Sequence, residues 1–326
     1  MASTPFPPRG EITIAFAHVA YQLADVFEQR GTGIRYFQVR TLDELTARFP
    51  EADVLVISGL WRNELLERAP RLRWIQSIGA GYDQFPLDEL RRRGIRLSSA
   101  RGVNRNAVSE HAMAMILALA RRLPEARDNQ RRHVWRGMIS DIPRREDELG
   151  GKTLGIVGIG HIGSRTAALA RAFGMRVLAT KRNPATYEGT DAEVWPADRL
   201  DDLVRQSDFV VLHCPLTEET RGIISRERLA LMKRSSYLIN VARGACVDEP
   251  ALIDALRSGV IAGAALDHFY DEPLLADSPL WDLDNVLITP HTAGETQQYE
   301  SNVIDILLEN LGRLERGQAE LLNQVV

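Results

Sequence analysis

Twice along this chain a short apolar run is followed by an amphipathic segment, and the pattern then repeats. From Glu11 to Ala100 the pairs are Ile12–Ala17 with Ala20–Gln29, Ile34–Val39 with Leu42–Arg48, and Val54–Ser58 with Asn63–Arg68. Trp74–Ile78 and Ile95–Ser98 are further runs of the same kind. Apolar runs alternating with helical segments predict strands buried on both faces, that is, a parallel sheet covered by helices. A second series starts at Lys152 and predicts six strands, at Thr153–Val157, Val177–Ala179, Phe209–Leu212, Leu238–Val241, Ala262–Leu266 and Val286–Thr289. Between the two series, Asn106–Arg122 is apolar around most of a helical circumference and reads as a buried helix broken at Pro124. The last amphipathic stretch, about Thr296–Arg316, follows the final strand and is expected to return to the first domain. A chain of 326 residues exceeds the usual size of one core. The expected fold is therefore α/β, with two doubly wound parallel-sheet domains. A Rossmann cofactor domain (residues 105–295) is inserted into a flavodoxin-like substrate-binding domain (residues 1–104 and 296–326).

Composition narrows the function classes. Apolar residues make up 44% and charged residues 26%, far from the balance of disordered chains. A net charge of −4 supplies no global field for nucleic acid or anionic lipid. The local runs Arg91–Arg93 and Arg131–Arg132 have no interleaved aromatics and read as solvated helix ends. Cys214 and Cys246 are too few and too distant in sequence for a disulfide framework or a zinc knuckle. The Met1–Gly10 segment has prolines where a secretory leader has its apolar core, and Ala112–Ala120 is too short to span a bilayer. The expectation is a cytoplasmic protein with no nucleic-acid partner, no membrane association and no bound metal.

The strand Thr153–Val157 runs into Gly158-Ile159-Gly160-His161-Ile162-Gly163, and a helical pattern follows at once. The first glycine permits a tight turn, the second lets backbone approach a pyrophosphate, and the third lets helix pack on strand. In this setting the motif predicts a dinucleotide. At the end of the next strand an NAD-binding chain usually carries Asp or Glu for the ribose hydroxyls. Here the residues are Thr180, Lys181 and Arg182. With two cations, a hydroxyl and no carboxylate, the charge balance favours NADP over NAD, with NAD as the alternative.

Three charged residues follow later strands of the same series: Arg243, Glu272 and His291. Reduction of a carbonyl creates an oxyanion that must be protonated, and histidine is the side chain that titrates nearest neutrality. His291 is the candidate acid/base, Glu272 the carboxylate that orients its ring, and Arg243 the planar cation for a substrate carboxylate and carbonyl. Asp267, at a strand end, is a candidate contact for the nicotinamide carboxamide.

Taken in order, these stretches resemble the D-isomer-specific 2-hydroxyacid dehydrogenase family over nearly the whole chain. The matching segments are Gly79–Asp83, Asn106–His111, Gly155–Gly163, His213–Thr217, Asn240–Glu249, Ala265–Pro273 and Thr289–Gly294. The resemblance implies that Arg243, Glu272 and His291 are catalytic, and that Ile78, Gly79, Ala80 and Gly81 present backbone amides to the substrate carboxylate. It places Cys214, Val241, Ala242 and Gly294 at the cofactor with Asp267 and the glycine loop, and it gives Cys214 an inert packing role. It also implies a homodimer built on the cofactor domain, with residues 129–142, including Trp135, as an arm toward the partner. Lys181 departs from the commoner Asp in the direction of glyoxylate/hydroxypyruvate reductase-like members that use NADPH. Glu272 stands where the formate dehydrogenases have glutamine, which argues against formate. The chain stops ten residues after Arg316, which lowers the expectation of a phosphoglycerate dehydrogenase with a regulatory extension, though short ones exist. The same ending argues against a corepressor of the C-terminal-binding protein type that senses cofactor and recruits partners through a disordered tail. Substrate identity is expected to depend on residues such as Leu60, Trp61, Tyr82 and Trp281.

Overall fold

The computed structural model describes residues 6–326, so the first half of the Met1–Gly10 segment lies outside the described residues. The chain divides into two compact units, one built from the residues up to Asn104 with Thr296–Val326, the other from Arg105–Glu295.

The first unit holds strands β1 (Thr13–Ala17), β2 (Arg35–Val39), β3 (Val54–Ile57), β4 (Trp74–Ser77) and β5 (Arg96–Ser98). They form a five-stranded sheet in the order β2-β1-β3-β4-β5, parallel throughout. This is the flavodoxin-like doubly wound order. Every residue of β3 and β4 is buried, because helices cover both faces: α1 (Leu23–Gln29), α2 (Leu42–Arg48), α3 (Leu87–Arg93) and a late helix, Tyr299–Glu315. One core packs Phe16, Phe27 and Trp74 with Leu307, the other Leu45, Phe49, Leu55 and Leu90. Each such side chain contributes roughly 1.5–3 kcal/mol on full burial. Local signals set the helix ends. Thr41 and Glu44 cap α2 reciprocally, and α3 stops at left-handed Gly94. The three arginines at the end of α3 pair with Asp88 and Glu89 on its own surface. Asn63–Arg68, read as helical in sequence, is instead a 3-10 segment. Six residues without a side-chain cap are too few to sustain α-helical hydrogen bonding.

The second unit opens with α4 (Arg105–Ala120) and α5 (Leu123–Arg131). Pro124 does not break α4, which has already ended at Ala120; after left-handed Arg122 the proline occupies the first turn of α5, where its missing N–H costs nothing. The strands are β6 (Thr153–Val157), β7 (Arg176–Lys181), β8 (Glu193–Pro196), β9 (Phe209–Leu212), β10 (Tyr237–Asn240), β11 (Gly263–Leu266) and β12 (Val286–Ile288). The helices between them are α6 (His161–Ala172), α7 (Leu200–Gln206), α8 (Arg226–Leu231) and α9 (Glu249–Ser258), and the late helix of the first unit is α10. The sheet order is β12-β11-β10-β9-β6-β7-β8, parallel throughout, so it has seven strands where six were predicted. The extra strand, β8, is an edge strand in which only Trp195 is buried and which ends in proline, so it has no continuous apolar run to betray it. The order reverses between β6 and β9, the position at which doubly wound sheets bind ligands beyond their carboxyl ends.

Candidate active site

The loop from β6 to α6 lies at that reversal. Gly158 has φ 96°, and a Cβ on it would sit 2.7 Å from the amide nitrogen of Cys214. A Cβ on Gly163 would sit 2.7 Å from the Gly158 carbonyl oxygen, so helix and strand touch through bare backbone. A Cβ on Gly160 would meet nothing within 4 Å. The amides of Gly158 and Ile159 donate to the Thr180 carbonyl, both at 3.2 Å. Those of His161, Ile162 and Gly163, in the first turn of α6, have no helical acceptor. Open space above Gly160 beside unengaged amides suits a pyrophosphate.

Below the loop, His213 Nε2 lies 3.0 Å from Thr166 Oγ1, which itself donates to the Ile162 carbonyl of α6. His213 Nδ1 is buried without a partner, and burial holds this imidazole down at about 3. Cys214 is buried, and its thiol is pushed up by the neighbouring Cys246 thiol and by burial, the opposite of an activated nucleophile. At the end of β7, Thr180 is buried, Lys181 Nζ donates to the Thr186 carbonyl at 3.0 Å, and Arg182 is exposed.

The carboxyl ends of β10, β11 and β12 bring the charged residues together. After β10, Asn240 braces the turn that carries Arg243: its amide donates to the Arg243 carbonyl and its Oδ1 accepts the Ala242 amide. Val241 and Ala242 are buried beneath it. The Arg243 guanidinium makes one hydrogen bond among the described residues, Nη1 to its neighbour's carbonyl at 2.7 Å, leaving its other donors unengaged. A Cβ on the adjacent Gly244 would lie 1.8 Å from the Phe269 carbonyl oxygen, so this turn rests directly on the backbone after β11.

That second segment begins with Asp267, which is 0% exposed. Its Oδ1 accepts the Thr289 hydroxyl at 2.5 Å and the Thr292 amide at 2.9 Å, and its Oδ2 accepts the Ala293 amide at 3.0 Å. Its own carbonyl accepts the His291 amide at 3.0 Å. The loop after β12, Thr289 to Gly294, is thereby fixed to β11. His111 of α4 adds a contact at 3.1 Å between Nε2 and Thr289 Oγ1. His291 has φ 54°, a left-handed conformation unfavourable for a residue with a Cβ, and is held there by these bonds.

His291 Nδ1 is 2.6 Å from Glu272 Oε2, while the ring remains 52% exposed. Burial alone would raise the Glu272 carboxyl. Contacts with the imidazoles of His268 and His291, and the Phe269 amide donating at 3.1 Å, reverse this and bring it to about 2. His268 was not singled out from the sequence, although its place four residues before Glu272 was visible. Its side chain is 5% exposed, its ring centroid is 3.8 Å from that of His291, and burial holds it below the ordinary histidine range. Asn240 and His111, within matched stretches, likewise had bracing roles that no periodicity announces.

In the first unit the corresponding loop follows β4. Ile78 is buried, with its carbonyl accepting the Tyr299 hydroxyl at 2.8 Å. Ser77 Oγ lies 3.2 Å from the Gly79 carbonyl and 3.4 Å from that of Gly81, which curls the loop. The amides of Ala80 and Gly81 make no hydrogen bond among the described residues. Of the residues expected to shape specificity, Tyr82 is exposed, but Trp61 is buried in a core against Phe85, with its Nε1 bonded to Asn63. Trp281 is half-exposed in the second unit, its Nε1 donating to the Leu275 carbonyl.

Residues 113–293 match the family described as D-isomer specific 2-hydroxyacid dehydrogenase, NAD binding domain. The chain belongs to this family. It is 39% identical over 268 residues to a glyoxylate reductase of Korarchaeum cryptofilum, covering 81% of this chain and 80% of that one. Among solved structures it is similar to a D-lactate dehydrogenase of Aquifex aeolicus complexed with NAD and lactic acid, with TM-score 0.80, 29% identity and coverage of 96% and 99%. A D-isomer specific 2-hydroxyacid dehydrogenase of Xanthobacter autotrophicus in complex with NADPH and MES gives TM-score 0.79, 28% identity and coverage of 97% and 98%. As a member of the family, the protein is an NAD(P)-dependent D-2-hydroxyacid dehydrogenase acting on small acids through a nicotinamide cofactor. Among the described residues, no helix is long and apolar enough to cross a membrane.

Proposed function

We propose that this dehydrogenase reduces a small 2-oxo acid of the glyoxylate or hydroxypyruvate class, with NADPH as the preferred reductant and His291 as the proton donor. The observation that carries the reading is the 2.6 Å contact between His291 Nδ1 and an ionised Glu272. The carboxylate fixes the proton on Nδ1, turns Nε2 outward and stabilises the imidazolium, so His291 can hand the Nε2 proton to a carbonyl oxygen. Arg243, with its free guanidinium donors, binds the acid and polarises the carbonyl. The amides of Ala80 and Gly81 are assigned to the substrate carboxylate. When bound, the nicotinamide supplies the hydride. The unit 105–295 is its binding domain, and the unit formed by residues 1–104 and 296–326 is the substrate domain. Gly158, Gly160, His161, Ile162 and Gly163 cradle the pyrophosphate, while Cys214, Val241, Ala242 and Gly294 line the remainder of the cofactor site. Asp267, with three acceptor positions already occupied, has one left for the carboxamide.

Lys181 and Arg182 support the NADPH preference, since both cations lie at the end of β7 with no carboxylate in that turn. Buried Thr180 serves the loop instead, through its carbonyl. A homodimer is supported by the segment after α5, where Trp135 is 98% exposed and Met138 wholly so.

The test is the rate at which the purified protein oxidises NADPH, and separately NADH, with 2-oxo acids from glyoxylate to phenylpyruvate. Turnover fastest with NADPH and a small acid is expected. Equal use of both cofactors would remove the role given to Lys181 and Arg182, and a preference for phenylpyruvate would remove the small substrate.

A further inference from the structure

We propose that His268, Glu272 and His291 form a three-ligand site for one divalent cation of the zinc class, and that filling it stops turnover. Each offers one ligand atom, and these atoms all lie within 4.8 Å of one another. Two of the separations are 2.6 Å, from His291 Nδ1 to Glu272 Oε2, and 3.3 Å, from His268 Nδ1 to Glu272 Oε1. Zinc bonds of about 2.0–2.2 Å in a tetrahedral arrangement set neighbouring ligands roughly 3.3–3.5 Å apart. Small side-chain rotations reach that spacing. Two imidazoles and one carboxylate, with a fourth position open to water, are a donor set that zinc takes readily.

An independent observation points to a ligand. His268 Nδ1 is buried and has no hydrogen-bond partner, although it is aimed at Glu272 Oε1. The other ring nitrogen, Nε2, lies 3.9 Å from Asp267 Oδ2. Of the two carboxylates beside this ring, Glu272 Oε1 on the Nδ1 side is the nearer, at 3.3 Å, so the ring proton is drawn to Nδ1 with no well-aligned hydrogen bond to hold it. A cation at that point takes the place of this proton between Nδ1 and Oε1, and Asp267, 3.9 Å from Nε2, then stands behind the metal-bound imidazole as the outer carboxylate that orients such ligands. His111 Nε2, 3.8 Å from Asp267 Oδ1, faces the far side of this carboxylate. The Arg243 guanidinium is the opposing charge, close enough to be felt at His268. A cation bound here displaces the proton that Glu272 holds on His291. The loss of turnover therefore rests on the roles proposed above for those two residues, whereas binding of the cation does not.

The test is calorimetric titration of the whole protein with zinc, repeated with His268→Phe, which keeps a ring beside His291 and removes the ligand. One equivalent bound by the native chain, weakened at least roughly tenfold in the variant, is expected, with turnover lost in parallel and restored by a chelator. Cobalt(II) added to the native protein gives a readout independent of whether the variant folds: intense visible bands of a four- or five-coordinate site are expected. A weak six-coordinate spectrum, or zinc binding unchanged by His268→Phe, would overturn the site. Binding with undiminished turnover would leave the site standing and overturn both its inhibitory effect and the proton-transfer role of His291. If the native protein never turns over, the reaction proposed above fails, and the calorimetric and cobalt results still decide the site.

Discussion

The two sheets use their carboxyl edges differently. Beyond β10, β11 and β12 the second unit gathers Arg243, Asp267, His268, Glu272 and His291; Glu272 contacts both imidazoles, and Asp267 braces the loop that carries His291. Beyond β4 the first unit offers backbone, a loop curled by Ser77 with two unengaged amides. Proton transfer needs side chains of particular pKa, while a carboxylate can be gripped by any amide that points the right way. The first edge is therefore chemically specified by residue identity and the other by conformation.

Substitutions sharpen this contrast. The largest effect is expected for His291→Ala, a fall in kcat of roughly 10²–10⁴-fold with cofactor affinity, read by fluorescence titration, almost unchanged. Retention of turnover within about tenfold would remove the proton-transfer role from this edge. Next comes acid stability at His213. Its folded value of about 3 lies below that of an unfolded histidine, near 6.5, so the folded state binds fewer protons between those values. Its contribution is complete above about pH 6.5 and is lost as pH falls toward 3. Denaturant melts at pH 7 and pH 4 should show His213→Gln losing less stability than the native chain, by on the order of 2–3 kcal/mol.

Lys181→Asp with Arg182→Ala should move the ratio of kcat/KM for NADPH over NADH toward NADH by roughly 10- to 100-fold; a fixed ratio would show that charge at the end of β7 does not select the cofactor. The smallest effects compare one glycine from each edge. Gly244→Ala has no room against Phe269 and should cost about 1–3 kcal/mol in a thermal melt. At Gly79 a Cβ meets nothing nearer than 3.7 Å, so Gly79→Ala should melt like the native chain and raise KM for the acid by roughly threefold at constant kcat. Equal melting of the two variants would contradict the difference in packing between the edges.

The same contrast governs what was legible in the sequence. Both sheets were readable because most of their strands carry short apolar runs between helical segments, and β8 escaped because an edge strand with one buried residue has none. Arg243, Glu272 and His291 stood out because each is a charged or titratable side chain just past a strand. His268 was passed over beside the more prominent Glu272, and the engagement of Lys181 with the Thr186 carbonyl is a loop conformation that composition does not encode. Trp61 was expected at a pocket but lies in a core, since an apolar ring near a loop looks the same in sequence in either place.

The contact between Gly244 and Phe269 bears on how such a scaffold can diversify. With no space for even a methyl group between the Arg243 turn and the segment leading to Glu272, neither can shift without carrying the other, and Asp267 ties the His291 loop to the same strand end. The reactive groups therefore drift together or not at all. On the function proposed above, the exposed loop around Tyr82, which belongs to the other unit and lies outside this packing, is where the accepted acid can change while the chemistry stays the same.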